Sequence, residues 1–216
     1  MKKLFSGVYN INGFIATLNA VRGKRVYNEK LMKEDGLEYR GWDPFRSKLC
    51  AAIKKGLKNF PIDSKSKIMY LGASTGTTIS HLSDILLQGE IFAVEIASQC
   101  MKNLLELSEL RPNIIPILAD ARRPQDYVEA GKVDLIYQDV ASPEQAQILI
   151  KNAQVFLDTG GLAMVAIKSQ SIDVTKEPRE VFEAFLNEVS VYFEVLEQFE
   201  LEPFDKDHLF VVLKKK

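Results

Sequence analysis

The stretch KIMYLGASTGTTISHLSDILLQGEIFAVEI, residues 67–96, contains one complete strand–helix–strand unit. Its first apolar run, residues 67–72, ends in a glycine turn, and a segment with helical periodicity follows before a second apolar run at residues 90–96. Two apolar strands joined by a crossover helix are typical of a parallel sheet covered by helices. The apolar positions that define the helix face are Ile79, Leu82 and Leu86.

The same alternation continues to residue 215 and predicts five more strands. They are NIIPILAD (113–120), VDLIYQD (133–139), LAMVAIK (162–168), YFEVLEQFEL (192–201) and HLFVVLKK (208–215). The predicted helix faces between them are Met101, Leu104 and Leu105, then Ala146, Leu149, Ile150 and Ala153, then Phe182, Phe185, Leu186 and Val189. No helix separates the last two strands, so we expect them to pair antiparallel. The sequence thus predicts an α/β fold with a seven-stranded, mostly parallel sheet and one antiparallel strand.

The first 42 residues have a different pattern. Short segments rich in aromatic and β-branched residues, separated by Gly and Asn, predict a small antiparallel sheet. These segments are GVYNI (7–11), FIATLNAV (14–21), RVYNEKL (25–31) and LEYRGW (37–42). We therefore predict a small N-terminal β lobe at residues 1–42 and a main domain at residues 43–216.

Composition restricts the class of protein. With 216 residues, 46% of them hydrophobic, the chain can bury one substantial core. The formal net charge of −1 provides no global attraction to nucleic acid, so a local patch or a partner must supply any such attraction. Cys50 and Cys100 are expected to be reduced thiols in helices, which indicates a cytoplasmic protein. We expect no metal site, no signal segment and no membrane partner.

Ligands of parallel α/β sheets bind at the carboxyl ends of the strands. The first predicted strand ends at a turn in which Gly72 and Gly76 allow close approach, and Thr77 and Thr78 begin a helix whose free N–H groups can face a ligand. The turn has neither the dinucleotide fingerprint nor the Lys of a phosphate-binding loop. Taken alone, it is equally compatible with a turn that binds no ligand.

Three acidic residues end the next three strands along the chain: Glu95, Asp120 and Asp139. A carboxylate about twenty residues after a glycine turn is suited to a ribose diol. Together the three acids favour a ligand with a ribose, an amino group and a positive centre, and disfavour one with phosphates. The pattern favours S-adenosyl-L-methionine over NAD.

The fifth strand ends in Lys168, which lies beside Asp139 if the two strands are neighbours. A simple ion pair at the rim of the sheet would explain this pair, but two more residues point to the same edge. Lys48 follows an Asp43-Pro44 helix start, with Phe45, Leu49, Ala52, Ile53 and Leu57 as the predicted buried face. His208 begins the reversed final strand, which places it at the same edge as the other strand ends.

Six segments in this order and spacing resemble fibrillarin, specifically its archaeal-type RNA 2'-O-methyltransferases. They are WDPFRSKLCAAI (42–53), GASTGTTISHLSDI (72–85), DAR (120–122), YQDVASPEQ (137–145), AIKSQSID (166–173) and DHLFVVLKK (207–215). The resemblance covers essentially the whole chain and implies a Rossmann-like class I methyltransferase fold. It also implies a Lys-Asp-Lys-His tetrad at Lys48, Asp139, Lys168 and His208.

The resemblance implies contacts to S-adenosyl-L-methionine as well. They fall on Gly72, Thr77, Thr78, Glu95, Ile96, Asp120, Ala121, Asp139, Val140, Ala141 and Ser142. Three positions depart from the common family pattern, and each could alter cofactor affinity. Ile79 replaces a proline, Ile96 replaces an aromatic residue, and Ser142 replaces a glutamine.

The implied reaction is direct transfer of an activated methyl group to a ribose 2'-hydroxyl, with Lys168 as the general base. The implied setting is a particle in which a box C/D guide RNA pairs with target rRNA or tRNA. In that setting a Nop5-type scaffold protein holds the enzyme and an L7Ae-type protein binds the guide. A nicotinamide-dependent oxidoreductase and a non-catalytic scaffold remain as alternatives, since both share the strand–helix alternation.

Overall fold

The structure, a computed structural model, describes all residues 1–216 and contains two sheets. The strands of the N-terminal sheet are β1 (Lys2–Phe5), β2 (Val8–Ile11), β3 (Phe14–Leu18), β4 (Leu31–Glu34) and β5 (Leu37–Gly41). The strands of the large sheet are β6 (Lys67–Leu71), β7 (Glu90–Glu95), β8 (Ile114–Leu118), β9 (Leu135–Gln138), β10 (Leu162–Lys168), β11 (Phe193–Glu200) and β12 (His208–Lys215).

The large sheet has the predicted seven strands, in the order β11-β12-β10-β9-β6-β7-β8. Neighbouring strands from β10 to β8 pair in parallel, whereas β12 runs antiparallel to both β10 and β11. The prediction of one reversed strand is therefore confirmed. The reversal brings the first residue of β12, His208, into register with the last residue of β10, Lys168.

Helices cover both faces of the large sheet. They are α1 (Lys48–Lys54), α2 (Thr77–Ile85), α3 (Ser98–Leu110), α4 (Gln145–Phe156), the short α5 (Ser169–Ile172) and α6 (Pro178–Val189), and a 3₁₀ segment spans Pro124–Ala130. Successive residues of β10 enter opposite layers, as the two-residue period of a strand requires. Met164 and Ala166 belong to the core under α1 and α2, whereas Val165 and Ile167 belong to the core under α4 and α6.

The N-terminal sheet is antiparallel, as predicted, but two of its strands were placed wrongly by the sequence pattern. Its order is β1-β2-β3-β5-β4. The segment RVYNEKL is mostly a loop that reaches a strand only at Leu31, because Glu29 turns inward to bind Arg40. The charged segment Lys2–Phe5 was not predicted as a strand, yet it forms the edge strand β1, where lysines can remain in solvent.

A buried ionic cluster joins the N-terminal sheet to the large domain. The Arg40 guanidinium of β5 lies 2.8 Å from the Asp84 carboxylate of α2 and also pairs with Glu29. Arg111, at the end of α3, lies 2.6 Å from the other Asp84 oxygen. All four side chains are buried, so each charge depends on the others for compensation. The lobe is thus anchored to the helix that follows the glycine turn.

Two predicted helix features are wrong. Helix α1 begins at Lys48 with Ser47 as its N-cap, because Asp43 instead accepts a 2.9 Å hydrogen bond from Phe45 N and closes a separate turn. Phe45 is consequently exposed rather than part of the buried face. In α3, Leu105 is exposed and Leu107 takes the expected inward position.

The α-helices are 4 to 13 residues long. None of them combines the length and the apolar character that crossing a membrane requires.

Candidate active site

A crevice of about 490 Å³ opens at the carboxyl ends of the central strands. Its volume falls within the range of small-molecule sites in proteins. The predicted residues that line it are Gly72, Glu95, Ile96, Asp120, Ala121, Asp139, Val140, Ala141, Ser142 and Lys168. Ten residues from separate segments of the chain therefore meet at one site, as the topology of strand ends requires.

The glycine turn after β6 allows the crevice to form. Gly72 has φ +81°, and a Cβ at this position would lie 2.9 Å from the Asp139 carbonyl oxygen. A larger residue would separate the two strand ends, so glycine is required both for the backbone conformation and for the close approach. Gly76, with φ +94°, is the N-cap of α2.

Glu95 is fixed in the crevice by backbone donors. Its Oε2 accepts a 2.7 Å hydrogen bond from Ser74 N, and its Oε1 accepts a 2.8 Å bond from Ala97 N. Each carboxylate oxygen can accept a second hydrogen bond, so Glu95 retains capacity for a ribose diol. The Ser74 contact links the glycine turn to the end of β7.

Asp120 lies at the other side of the crevice and is bound by Arg122. The guanidinium donates to both carboxylate oxygens, with Nη2 at 2.7 Å from Oδ2 and Nε at 3.0 Å from both. These hydrogen bonds hold the pKa of the Asp120 carboxyl below its ordinary value. Arg122 therefore occupies much of the acceptor capacity that Asp120 could offer to an adenine amino group.

The two threonines predicted to contact the cofactor lie at the start of α2. Thr77 and Thr78 are not among the residues that line the crevice. Thr78 is buried, and its hydroxyl donates a 3.0 Å hydrogen bond to Ser47 Oγ. The structure therefore places this side chain as a link between the starts of α1 and α2.

Two lysines share one carboxylate at the end of the crevice. Asp139 Oδ1 lies 2.8 Å from Lys168 Nζ and 3.3 Å from Lys48 Nζ. The best-directed hydrogen bond of the Lys168 ammonium is the 2.8 Å bond to the Asp139 carbonyl, so its contact with Oδ1 is an ion pair rather than an aligned hydrogen bond. All three side chains are partly buried, at 16–18% exposure. The rim ion pair expected from the sequence is thus a three-residue cluster.

His208 joins this cluster through a residue that sequence reasoning missed. Asp205 Oδ2 lies 3.5 Å from Lys48 Nζ, and its Oδ1 lies 2.9 Å from His208 Nδ1. The same nitrogen lies 2.7 Å from the Lys206 carbonyl. Because both of these oxygens can only accept, Nδ1 carries the hydrogen and Nε2 remains free to accept a proton or a hydrogen bond.

The pKa of Asp205 reflects these contacts. Burial raises it, but the hydrogen bond from His208 and the charges of His208 and Lys48 outweigh burial, so the net pKa lies below the ordinary value. Asp205 is therefore a carboxylate at neutral pH and compensates the charge of Lys48. The spacing in DKDH, an acid three residues before the histidine, could have indicated this pairing.

A second missed residue holds the backbone of Lys168. Gln145 is fully buried at the start of α4, and its Oε1 accepts a 3.2 Å hydrogen bond from Lys168 N. Its Nε2 lies 3.5 Å from the Lys168 carbonyl. The end of β10 is therefore fixed from both sides. Ser74 and Cys100 also line the crevice, although neither was predicted to do so.

The fold and this crevice define a Rossmann-like α/β protein with the class I methyltransferase fold. Comparison with known proteins identifies the family more narrowly. The sequence model of the Fibrillarin family matches residues 1–216, and the chain belongs to that family.

Individual relatives agree with this assignment. The chain is 50% identical over 221 residues to the fibrillarin-like rRNA/tRNA 2'-O-methyltransferase of Pyrococcus horikoshii, covering 99% of this chain and 97% of the relative. The fibrillarin of a fibrillarin/Nop5p complex superimposes with a TM-score of 0.92 at 41% identity, over 100% of both chains. Aeropyrum pernix fibrillarin, solved with natively bound S-adenosyl-L-methionine, gives a TM-score of 0.87 at 44% identity, over 95% of this chain and 92% of that one.

Proposed function

We propose that this protein is an S-adenosyl-L-methionine-dependent RNA 2'-O-methyltransferase that acts on rRNA and tRNA. The observation that carries the proposal is the cluster of Lys48, Asp139 and Lys168 at the end of a crevice lined by Glu95 and Asp120. The activity of the Pyrococcus horikoshii relative and the cofactor of Aeropyrum pernix fibrillarin support the same assignment.

The residues of the crevice fit S-adenosyl-L-methionine. Glu95 has free acceptor positions for a ribose diol, and Val140 and Ile148 offer apolar contacts for an adenine ring. The acids Glu95, Asp120 and Asp139 suit a positive sulfonium and would repel phosphate groups. Ile96 is 61% exposed at the crevice, where an aromatic side chain is common in the family.

When bound, S-adenosyl-L-methionine supplies a methyl group already activated on its sulfonium. The protein must then hold the 2'-hydroxyl in line and accept its proton. We assign proton acceptance to Lys168 Nζ, because it lies at the crevice and donates to the Asp139 carbonyl, while the Gln145 side chain holds the Lys168 backbone amide. Lys48 places a second positive charge on the same carboxylate.

His208 is assigned a supporting role in this site. Its backbone is paired with Lys168 across β10 and β12, and its free Nε2 can accept a hydrogen bond from a hydroxyl. Asp205 holds the imidazole and Lys48 together. The four tetrad residues and Asp205 thus form one connected network with compensated charge.

We infer that target selection depends on partners. The net charge of −1 gives the isolated chain little general affinity for RNA. The family resemblance supports recruitment by a box C/D guide RNA, a Nop5-type scaffold and an L7Ae-type protein, in a cytoplasmic particle. The solved fibrillarin/Nop5p complex supports the scaffold in particular.

The test is transfer of labelled methyl to a target RNA by the particle reconstituted with and without its guide. Methylation at the guided 2'-hydroxyl, and only with guide present, is the expected result. Calorimetry should in addition show binding of S-adenosyl-L-methionine and none of NAD. Binding of NAD with no methyl transfer would instead establish the oxidoreductase alternative.

A further inference from the structure

A second cavity, of about 620 Å³, lies between the N-terminal sheet and α1 and is larger than the crevice. Its walls are unusually aromatic. We call it the aromatic groove and define it by Phe14, Tyr27, Trp42, Phe45 and Phe204. None of these residues belongs to the crevice described above.

Two of the five rings are exposed to solvent. Phe45 is 66% exposed and Phe14 is 48% exposed. Phe45 contacts Phe204 edge to face, with ring centroids 5.3 Å apart, and leaves the rest of its surface open. A phenylalanine exposed to this degree gains little from folding, so the fold alone does not explain its presence.

The groove is rimmed by cations. The Arg46 guanidinium lies 5.1 Å from the centre of the Tyr27 ring, and Lys30 Nζ lies 4.7 Å from the centre of the Phe14 ring. Lys54 Nζ donates a 2.6 Å hydrogen bond to a backbone carbonyl at the same rim. The two acids of the lining are already engaged, Glu29 by Arg40 and Asp43 by the Phe45 amide.

The segment of the chain that supplies most of the groove lining is basic. Residues 22–58 contain 11 Lys and Arg against 5 Asp and Glu, a net charge of +6 in a protein whose total is −1. The remainder of the chain therefore has a net charge of −7. The groove thus combines a basic segment with exposed aromatic rings, the combination typical of surfaces that bind unpaired nucleotides.

The groove is continuous in the chain with the methyl-transfer site. Phe45 precedes Lys48 by three residues, and Phe204 directly precedes Asp205. Lys48 and Asp205 themselves lie 3.5 Å apart in the crevice network. The end of the groove formed by Phe45 and Phe204 therefore adjoins the Lys48–Asp205 pair of that network.

We propose that the aromatic groove binds an unpaired nucleotide of the RNA substrate, with a base stacked on Phe45 and the backbone phosphates near Arg46, Lys30 and Lys54. This inference rests on the proposed RNA methyltransferase function. It adds a binding site for RNA that is separate from the cofactor crevice.

The first test compares Phe45→Ala with Phe45→Tyr in the reconstituted particle. Loss of one base stack should raise the KM for target RNA about 5-fold to 100-fold in Phe45→Ala, whereas Phe45→Tyr should retain the wild-type value. Affinity for S-adenosyl-L-methionine and melting temperature should not change, because Phe45 is exposed and outside the crevice. Tyr192→Ala, an exposed aromatic at the opposite end of the sheet, is the matched control.

The second test identifies the occupant directly. Target RNA with 4-thiouridine at an unpaired position beside the guide-paired segment should crosslink to residues 45–46 in the wild-type particle and lose that crosslink in Phe45→Ala. Arg46→Gln should reduce the salt dependence of RNA binding by about one phosphate contact. Equal KM values for wild type and Phe45→Ala, with no crosslink to the groove, would overturn the proposal.

The remaining outcomes are also decisive. If Phe45→Ala loses the scaffold protein on size-exclusion chromatography and no crosslink forms, the groove binds protein and the proposal is wrong. If the wild-type particle binds S-adenosyl-L-methionine but methylates no RNA, the proposed function fails. The crosslink then decides separately whether RNA occupies the groove.

Discussion

Lys168 ends a strand whose preceding residues are buried, and its position is fixed by contacts on three sides. Asp139 binds its ammonium, Gln145 binds its backbone amide, and His208 faces it across the sheet. This degree of fixation is unnecessary for a solvated lysine at a strand end. It is what a proton acceptor requires if it must meet a hydroxyl in one geometry.

We predict that Lys168→Ala abolishes methyl transfer and leaves cofactor binding largely intact. Removal of a positioned general base typically costs 10²- to 10⁴-fold in rate. Single-turnover methylation measures the rate, and calorimetry measures the affinity for S-adenosyl-L-methionine. Simultaneous loss of both would show that Lys168 holds the cofactor rather than the proton.

Asp205 permits a sharper test of the network, because it contacts Lys48 and His208 from outside the crevice lining. Asp205→Asn removes the charge that compensates Lys48 and weakens the hold on the His208 ring. We expect kcat to fall about 10- to 100-fold with little change in the KM for S-adenosyl-L-methionine, and Asp205→Glu to restore part of the loss.

Asp207→Asn is the matched control for that substitution. It removes the same charge two residues away, and its positive φ of 59° suits asparagine. The Asp207 carboxylate pairs with no cation, so kcat of the Asp207→Asn variant should remain at the wild-type value. An equal loss of kcat in both variants would indicate a general charge effect and exclude a specific role for Asp205.

At the scale of elements, the turn between β6 and α2 sets the distance between the strand ends. Gly72→Ala would place a methyl group 2.9 Å from the Asp139 carbonyl and adopt a backbone conformation that costs about 1–3 kcal/mol in any other residue. We expect the free energy of unfolding to fall by more than about 2 kcal/mol and cofactor affinity to fall with it.

Gly36→Ala separates the cost of the backbone conformation from the cost of the contact with the Asp139 carbonyl. Gly36 has φ +76°, close to that of Gly72, but a Cβ there would meet no atom within 4 Å. It therefore carries only the backbone cost. Urea unfolding of both variants should show the larger loss in Gly72→Ala, whereas equal losses would mean that the Asp139 contact contributes nothing.

The elements also show what the sequence could and could not predict. Strand and helix order followed from apolar periodicity, and the positions of Asp139, Lys168 and His208 followed from strand direction. The start of α1 did not follow from the sequence, because Asp43 and Ser47 are both good caps. Only tertiary contacts select Ser47. Asp205 was missed for a similar reason, since its partners are set by the loop between β11 and β12.

For the whole molecule, the buried contact between the lobe and the main domain determines how stability depends on pH. His81 is fully buried in α2, 2.8 Å from Thr17 and 2.6 Å from the Tyr27 hydroxyl, and stacks on Trp42. The Thr17 hydroxyl donates to Asp84, so His81 Nδ1 must be the donor in its bond with Thr17.

Burial, together with the positive charges of Arg40 and Arg111, holds the pKa of His81 well below its ordinary value of 6.5. Below pH 6.5 the unfolded chain therefore binds a proton that the folded chain does not, and acid favours unfolding. One such proton lowers the free energy of unfolding by about 1.4 kcal/mol between pH 7.5 and pH 5.5. The carboxylates with lowered pKa values, such as Glu29 and Asp205, begin to lose their contributions only as pH falls below their ordinary pKa values of 4.5 and 3.8.

Urea unfolding at pH 7.5, 6.5 and 5.5 measures this dependence. A His208→Gln variant leaves His81 as the only histidine of the chain, and it should retain the decrease. Because His81 lies in the helix that begins at the glycine turn, acid should also weaken the attachment of the lobe to that helix. A flat pH profile in the His208→Gln variant would show that the buried contact is independent of pH.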